Sequence, residues 1–317
     1  MVVKNPVFTF PGNIYIPCMD LWLDPTRKRD FAFISHAHAD HAARHKRIVA
    51  TPATARLLEH RLGVQAHTVL EYGVSKETAG GKLTLYPAGH ILGSAQILVE
   101  REDERLLYTG DFKLKPSPTT EPCEPVACDH LIMECTYGRP QYRFPDRKKV
   151  EAEFVDYVVA SMKRGEVPVV LAYALGRSQE VIRLLTDAGL RVALERKVYD
   201  LSVVYGELGI DLGRFEEYDP DNLEDRVLIF PPHLWKAPVL QSIQRKRTIA
   251  VTGWAIDGRQ NSWYRSDKAF PLSDHADFDD LIHYVEMTSP RNIYLIHGFP
   301  EFAEHLKRFD SNVYFLN

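Results

Sequence analysis

The stretch Ile34-Ser35-His36-Ala37-His38-Ala39-Asp40-His41 decides how this chain is read. Three imidazoles and a carboxylate fall within six positions, with only alanine between them. The apolar run Phe31-Ala32-Phe33-Ile34 before them reads as a short buried strand, and residues 42–47 after them as the start of a helix. The polar groups then sit on a loop leaving a strand's C-terminal end, where an α/β scaffold holds side chains around one point. Imidazoles at i and i+2 can converge on one ion, and the carboxylate and third imidazole behind them can reach a second. Nitrogen combined with carboxylate oxygen suits Zn²⁺ best, with Mn²⁺ or Fe²⁺ as alternatives. A solvated His-rich loop would not explain why alanine fills each gap.

The rest of the composition narrows the class. The chain's 317 residues suggest about two domains, and 45% hydrophobic with 26% charged residues is ordinary for a globular protein. No apolar run approaches the ~20 residues of a membrane-spanning helix. Residues 1–10 carry a single Lys4 and no extended apolar core, so they do not read as a secretory signal, and a cytoplasmic location is expected. Cys18, Cys123, Cys128 and Cys135 form no CxxC pair and read as reduced thiols. A net charge of −4 gives no global attraction to nucleic acid, so such a substrate needs a local basic groove or capture by metal.

Further polar groups recur where apolar strands end. Asp20 and Asp24 flank Leu21-Trp22-Leu23; either can accept hydrogen bonds from the histidine loop, and Asp24-Pro25 can equally be a plain turn. Thr51-Pro52 opens a helix to about Leu62. Residues 82–100 read as two alternating strands joined by Pro87-Ala88-Gly89-His90-Ile91-Leu92-Gly93-Ser94, and residues 105–109 as a third leading into Gly110-Asp111. Glu134 follows another buried run. A middle block then alternates helix and strand: a helix over 146–163, strands at 167–171, 227–230 and 248–251, and a polar loop over 257–261. It reads as a separate α/β unit inserted into the first. In it, Gly176-Arg177-Ser178 opens a helix and Thr252-Gly253 follows a strand. A glycine turn at a helix N-terminus can receive phosphate, with Arg177 as a bidentate donor. Ser273-Asp274-His275 precedes a helix to about Met287, and the strand over 292–296 ends in His297-Gly298. His45, His60, His67, His130, His233, His283 and His305 read as surface or satisfied groups.

These residues carry a resemblance. His36 to His41, with His90 and Gly110-Asp111, resembles the signature of the metallo-β-lactamase superfamily. Glu134, Ser273-Asp274-His275 and Ile296-His297-Gly298 resemble the three additional motifs of its β-CASP nuclease branch. Asp24-Pro25, Thr252-Gly253-Trp254-Ala255 and Phe270-Pro271-Leu272-Ser273-Asp274-His275-Ala276-Asp277 are most similar to prokaryotic ligase-associated DNA exonucleases, a group also described as mRNA 3′-end-processing-like.

The resemblance implies an α/β fold: an αββα metallo-β-lactamase sandwich of residues 1–138 and 268–317, with an inserted α/β β-CASP domain of residues 139–267. It implies two Zn²⁺ ions, with Mn²⁺ able to replace them: His36, His38 and His90 on one, Asp40, His41 and His297 on the other, and Asp111 bridging. Asp24 would orient the ligand loop, with Asp20 as its competitor. Asp40, Asp111, Glu134 and His275 would be catalytic, His275 protonating the leaving oxygen while Glu134 holds it. Gly176, Arg177, Ser178, Thr252 and Gly253 are the candidate phosphate contacts. The implied function is a DNA exonuclease in repair, acting on single-stranded DNA beside a DNA ligase/helicase repair system. The alternative is an RNA-processing exo- or endoribonuclease, toward which His297 leans, since RNA-acting members commonly carry histidine there. A thioesterase-type hydrolase of the same fold ranks third, because it lacks the inserted domain and the Glu134/His275 pair.

Overall fold

The computed structural model describes residues 7–10, 12–63, 67–257 and 266–316. Two compact units divide the chain: residues 1–140 with 275–317, and residues 141–274. The first unit begins with strands β1 (Ile14–Ile16), β2 (Leu21–Leu23), β3 (Phe31–Phe33) and β4 (Arg47–Ala50), helix α1 (Pro52–Leu62) and strand β5 (His67–Val69). The five strands form one sheet in sequence order, antiparallel at β1–β2 and parallel thereafter. Thr51 caps α1 by accepting from the Thr54 amide at 3.2 Å, and Pro52 occupies the first turn, where no N–H is missed.

Residues 42–47 do not start a helix. Lys46 and Arg47 donate their amides to Arg29 and Asp30 carbonyls, and the buried His45 ring accepts from the Arg29 amide at 3.1 Å. The following Ile48-Val49-Ala50 run is wholly buried as strand β4. Burying it in the sheet wins over the local helical pattern.

The second sheet starts as an antiparallel meander of β6 (Ser75–Thr78), β7 (Gly81–Pro87), β8 (Ala95–Arg101) and β9 (Glu104–Tyr108), with β10 (His130–Cys135) then adding parallel to β9. Here the chain leaves for the other unit. That unit comprises α2 (Arg147–Lys163), β11 (Val167–Leu171), α3 (Arg177–Asp187), β12 (Arg191–Leu194), α4 (Arg196–Glu207), β13 (Phe215–Glu217), β14 (Arg226–Phe230), α5 (Pro238–Gln241), β15 (Lys246–Val251) and β16 (Lys268–Phe270). Its six strands lie in the order β13-β12-β14-β11-β15-β16, every neighbouring pair parallel. Asp146 caps α2 through the Lys149 amide at 3.0 Å. Of the expected polar loop over 257–261, residues 258–261 lie outside the described residues, as do residues 1–6 of the N-terminal stretch.

The chain returns to the first unit through α6 (Phe278–Thr288), β17 (Asn292–Gly298), α7 (Phe302–Leu306) and β18 (Asn312–Phe315). β17 inserts beside β10 and β18 closes the edge, giving a seven-stranded sheet ordered β18-β17-β10-β9-β8-β7-β6. Alternation along the strands sorts side chains into two cores. Ile97, Leu106, Tyr108 and Ile132 meet Ile16, Leu23, Phe33 and Val49 of the first sheet. Leu98, Leu107, Leu131 and Leu295 on the opposite face meet Leu281, Tyr284 and Val285 of α6 and Phe302 and Leu306 of α7. With α1 against β5, the first unit is an αββα stack. No helix among the described residues is long and apolar enough to cross a membrane.

Leu107 is fully buried beneath α6 and α7, so Leu107→Ala should cost ~2–5 kcal/mol and lower the denaturation midpoint of the first unit. Val69 is 47% exposed, and Val69→Ala should change stability by less than ~0.5 kcal/mol in the same unfolding experiment.

Candidate metal centre

Five strand ends of the first unit supply the polar groups. The loop after β3 carries Ser35 to His41, and it is tied to the second sheet where the Ala95 amide donates to the Ser35 carbonyl at 2.8 Å. The β7–β8 connection carries His90, whose backbone amide is held by Ser94 Oγ at 3.0 Å. Gly110, just after β9, has φ +56°, and a Cβ there would lie 2.6 Å from the Ser35 side chain. Glycine is therefore required for Asp111 to come up under the histidine loop. Glu134 lies at the end of β10 and His297 at the end of β17.

The histidines converge. His36 Nε2 lies 3.0 Å from His38 Nδ1, and His90 Nε2 lies 3.2 Å from the same atom. Asp111 Oδ2 lies 3.5 Å from His36 Nε2, 3.8 Å from His90 Nε2 and 3.4 Å from His41 Nε2. One ligand atom each from His36, His38, His90 and Asp111 falls within 4.8 Å of the others, and the same holds for His41, Asp111 and His297.

The tautomers follow from the surrounding bonds. Asp24 is buried and accepts from the Ser35 amide at 2.7 Å, Ser35 Oγ at 2.5 Å, Tyr108 Oη at 2.8 Å and His41 Nδ1 at 3.0 Å. Ser35 Oγ, having given its proton to Asp24, accepts from His36 Nδ1 at 2.9 Å. His36 and His41 thus carry their protons on Nδ1 and turn Nε2 lone pairs inward. Inward-facing imidazole lone pairs around a carboxylate leave a shortage of donors that a cation satisfies, so the residues present fit a metal. Burial pushes His36 well below its ordinary pKa, reinforced by His41 and His90. For His41 burial acts in the same direction, but Asp111 and Asp24 outweigh it and hold a proton on the ring well above the ordinary range. A cation and that proton compete for one place. Burial would raise Asp111, but His41, His275 and His36 hold it well below the usual carboxylate range.

A second arrangement adjoins the first. Glu134 is buried, and its Oε1 and Oε2 lie 2.9 and 3.1 Å from His275 Nδ1. The Phe112 amide donates to Glu134 Oε1 at 2.9 Å, while the Phe112 carbonyl accepts from the Ala276 amide at 2.8 Å. The residue after Asp111 thereby fixes both members of the pair. The His275 ring lies 4.6 Å from that of His90.

Other expected residues are placed differently. Asp40 is 80% exposed at its side chain and comes only to 3.9 Å of His41 Nε2, outside the convergent groups; its place on the outer turn of the loop aims it at solvent. Asp20 accepts from Tyr15 Oη at 2.9 Å on the exterior and does not meet the loop, in contrast to Asp24. The phosphate reading of Arg177 is corrected. Its buried guanidinium donates to the Leu272 carbonyl and to Asp274, which commits it inside the middle unit. Ser178 Oγ donates to the Ala172 carbonyl at 3.3 Å and the Gly176 amide to Gln179 Oε1 at 2.7 Å, so these two donors are engaged internally, whereas Arg177 Nε is buried with no partner among the described residues. Thr252 and Gly253 are likewise buried, the Thr252 amide donating to the Phe270 carbonyl at 3.1 Å. Residue-level reading missed Ser35, Tyr108 and Thr136. Each lies within two positions of a recognised motif residue or inside the motif itself, and nearness was the only signal available.

Residues 268–315 match the family described as Zn-dependent metallo-hydrolase RNA specificity domain. The chain is 39% identical over 302 residues to a probable DNA ligase of Opitutus terrae, covering 94% of this chain and 30% of that protein. It is 26% identical over 280 residues to the 5′ exonuclease Apollo of Gallus gallus, covering 82% of this chain and 57% of that protein. An RNase J-like protein of Methanocaldococcus jannaschii is 30% identical over 183 residues, covering 50% of this chain and 44% of that protein. The chain thus spans less than two thirds of each of these relatives. A solved structure of a protein of unknown function from Enterococcus faecalis superposes with a TM-score of 0.65 at 13% identity, over 92% of this chain and 81% of that one, which shows the shared fold. Its αββα unit and inserted parallel-sheet unit, together with these relatives, support the β-CASP branch of the metallo-β-lactamase superfamily as its family.

Proposed function

We propose that this chain hydrolyses phosphodiester bonds of nucleic acid, as a DNA exonuclease in repair, using two Zn²⁺ ions. The observation that carries the reading is the convergence of His36, His38, His90 and Asp111 beside His41 and His297, with the Glu134–His275 pair at its edge. His36, His38 and His90 would hold one ion and His41 and His297 the other, with Asp111 between them. Asp40 would join the second only by turning inward from its exposed position. When bound, such ions activate water and neutralise charge growing on the phosphoryl oxygens.

The protein's own residues supply the rest. One water is consumed: a new phosphorus–oxygen bond forms, the bond to the leaving sugar oxygen breaks, and that oxygen needs a proton. Glu134 binds His275 at Nδ1, so Nε2 lies on the far side of the ring and is the nitrogen that delivers the proton. Asp24 fixes the His36 and His41 tautomers. We assign residues 1–138 and 268–317 to the metallo-β-lactamase domain and 139–267 to the β-CASP domain, an assignment supported by the compact units divided near 140 and 274. A DNA substrate and association with a DNA ligase system are supported by the ligase relative, and exonuclease action by Apollo. RNA processing is the second reading, favoured by the RNA specificity match over 268–315 and the RNase J-like relative.

End-labelled single-stranded DNA and RNA, incubated with the purified protein and Zn²⁺ or Mn²⁺, separate these readings by which polymer is shortened. His38→Ala and Asp111→Ala should each lower phosphodiester hydrolysis by ~10²–10³-fold or more while circular dichroism stays unchanged; undiminished turnover after chelation would sink the metal mechanism. His275→Ala should slow cleavage by ~10²–10⁴-fold and leave metal content as it was, by elemental analysis. A matching loss of metal would make His275 a ligand. Asp24→Asn should weaken metal affinity by ~10–100-fold in a chelator competition, whereas Asp20→Asn should not.

A further inference from the structure

We infer that Thr136 is a positioning residue for proton delivery: its hydroxyl pins the Glu134 carboxylate, and through it sets the orientation of the His275 ring. The inference rests on the proposed role of His275 as proton donor. Thr136 Oγ1 donates to Glu134 Oε2, and the Phe112 amide donates to Oε1 at 2.9 Å, so each carboxylate oxygen has its own fixed donor. Both oxygens face His275 Nδ1, at 2.9 and 3.1 Å. A carboxylate held at only one oxygen can rotate about its last bond and carry the imidazole with it; one held at both cannot.

The setting explains why a hydroxyl is needed at this position. Between β10 and β17 the register slips, Glu134 facing Ile296 while Cys135 faces Gly298, so His297 is left as the extra residue of a bulge with φ +45°. A bulge interrupts the ladder and re-aims side chains. Thr136 Oγ1 lies 3.3 Å from the His297 carbonyl exposed there. One hydroxyl proton faces two acceptors, and the ionised carboxylate is the stronger. Glu134 therefore keeps the proton, and the His297 carbonyl acts as a backstop that limits the hydroxyl's rotation. Thr136 itself is only half-buried, so the residue contributes little core packing.

The test uses two substrates on the whole protein. An oligonucleotide has a sugar alkoxide leaving group that needs the proton, whereas the p-nitrophenyl ester of thymidine 5′-phosphate has a leaving group that needs almost none. Thr136→Val removes the hydroxyl at nearly constant shape. It should lower kcat on the oligonucleotide by ~10-fold or more and on the nitrophenyl ester by less than ~2-fold, with KM and bound metal unchanged. Thr136→Ser should restore both rates to within ~2-fold. Equal losses on both substrates, no loss on either, or failure of serine to rescue would overturn the inference, and so would loss of the wild-type Tm in both Thr136→Val and Thr136→Ala. His275→Ala separates this failure from that of the underlying reading. If His275→Ala is selective for the oligonucleotide and Thr136→Val is not, only the role of Thr136 falls. If His275→Ala affects both substrates equally, the proton-donor reading falls as well.

Discussion

Everything at the candidate metal centre depends on one buried carboxylate and its four donors. Removing Asp24 from water costs several kcal/mol unless its oxygens are bonded, and the Ser35 amide and hydroxyl, the Tyr108 hydroxyl and His41 Nδ1 supply those bonds. The donors come from both sheets, since Tyr108 ends β9 while Ser35 follows β3. Asp24 therefore joins the two sheets at the edge where the histidines emerge. In satisfying its own charge it dictates which nitrogen of His36 and of His41 is protonated, and hence which is left to bind a cation.

The same economy appears at Phe112. Its amide holds Glu134 and its carbonyl holds the backbone of Ala276, so one peptide unit next to Asp111 fixes the separation of the carboxylate and imidazole beside it. Lys115 extends the strap by bridging Asp277 and Asp280 at the start of α6, at 2.6 and 3.2 Å. The geometry proposed for proton delivery tolerates little drift, and here it is held by backbone groups of packed strands rather than by flexible side chains alone.

Much of this was legible in the sequence because the ligand types sit where apolar runs meet glycine, a local pattern that survives without knowledge of the fold. The strands expected over 82–100, 105–109 and 292–296, the buried run before Glu134 and the helix expected to about Met287 correspond to β7, β8, β9, β17, β10 and α6, with ends shifted by a few residues. Contacts between distant segments were not legible. Asp20 and Asp24 flank the same three residues, and only the pairing of β2 with β3 decides which meets Ser35. Arg177 had the local context of a phosphate donor, yet Leu272 and Asp274, almost a hundred positions away, take its guanidinium. At residues 42–47 the helical pattern lost to burial of Ile48-Val49-Ala50.

The position of β17 inside the seven-stranded sheet has a kinetic corollary. It lies between β10 and β18, and its pairing partner in β10 is 162 positions earlier in the chain. Until residues 292–298 have been synthesised, β10 is a sheet margin whose backbone N–H and C=O groups lack their β17 partners, and His297 has not joined His41 and Asp111. The complete donor set therefore arises only once residues 292–298 have emerged and paired with β10.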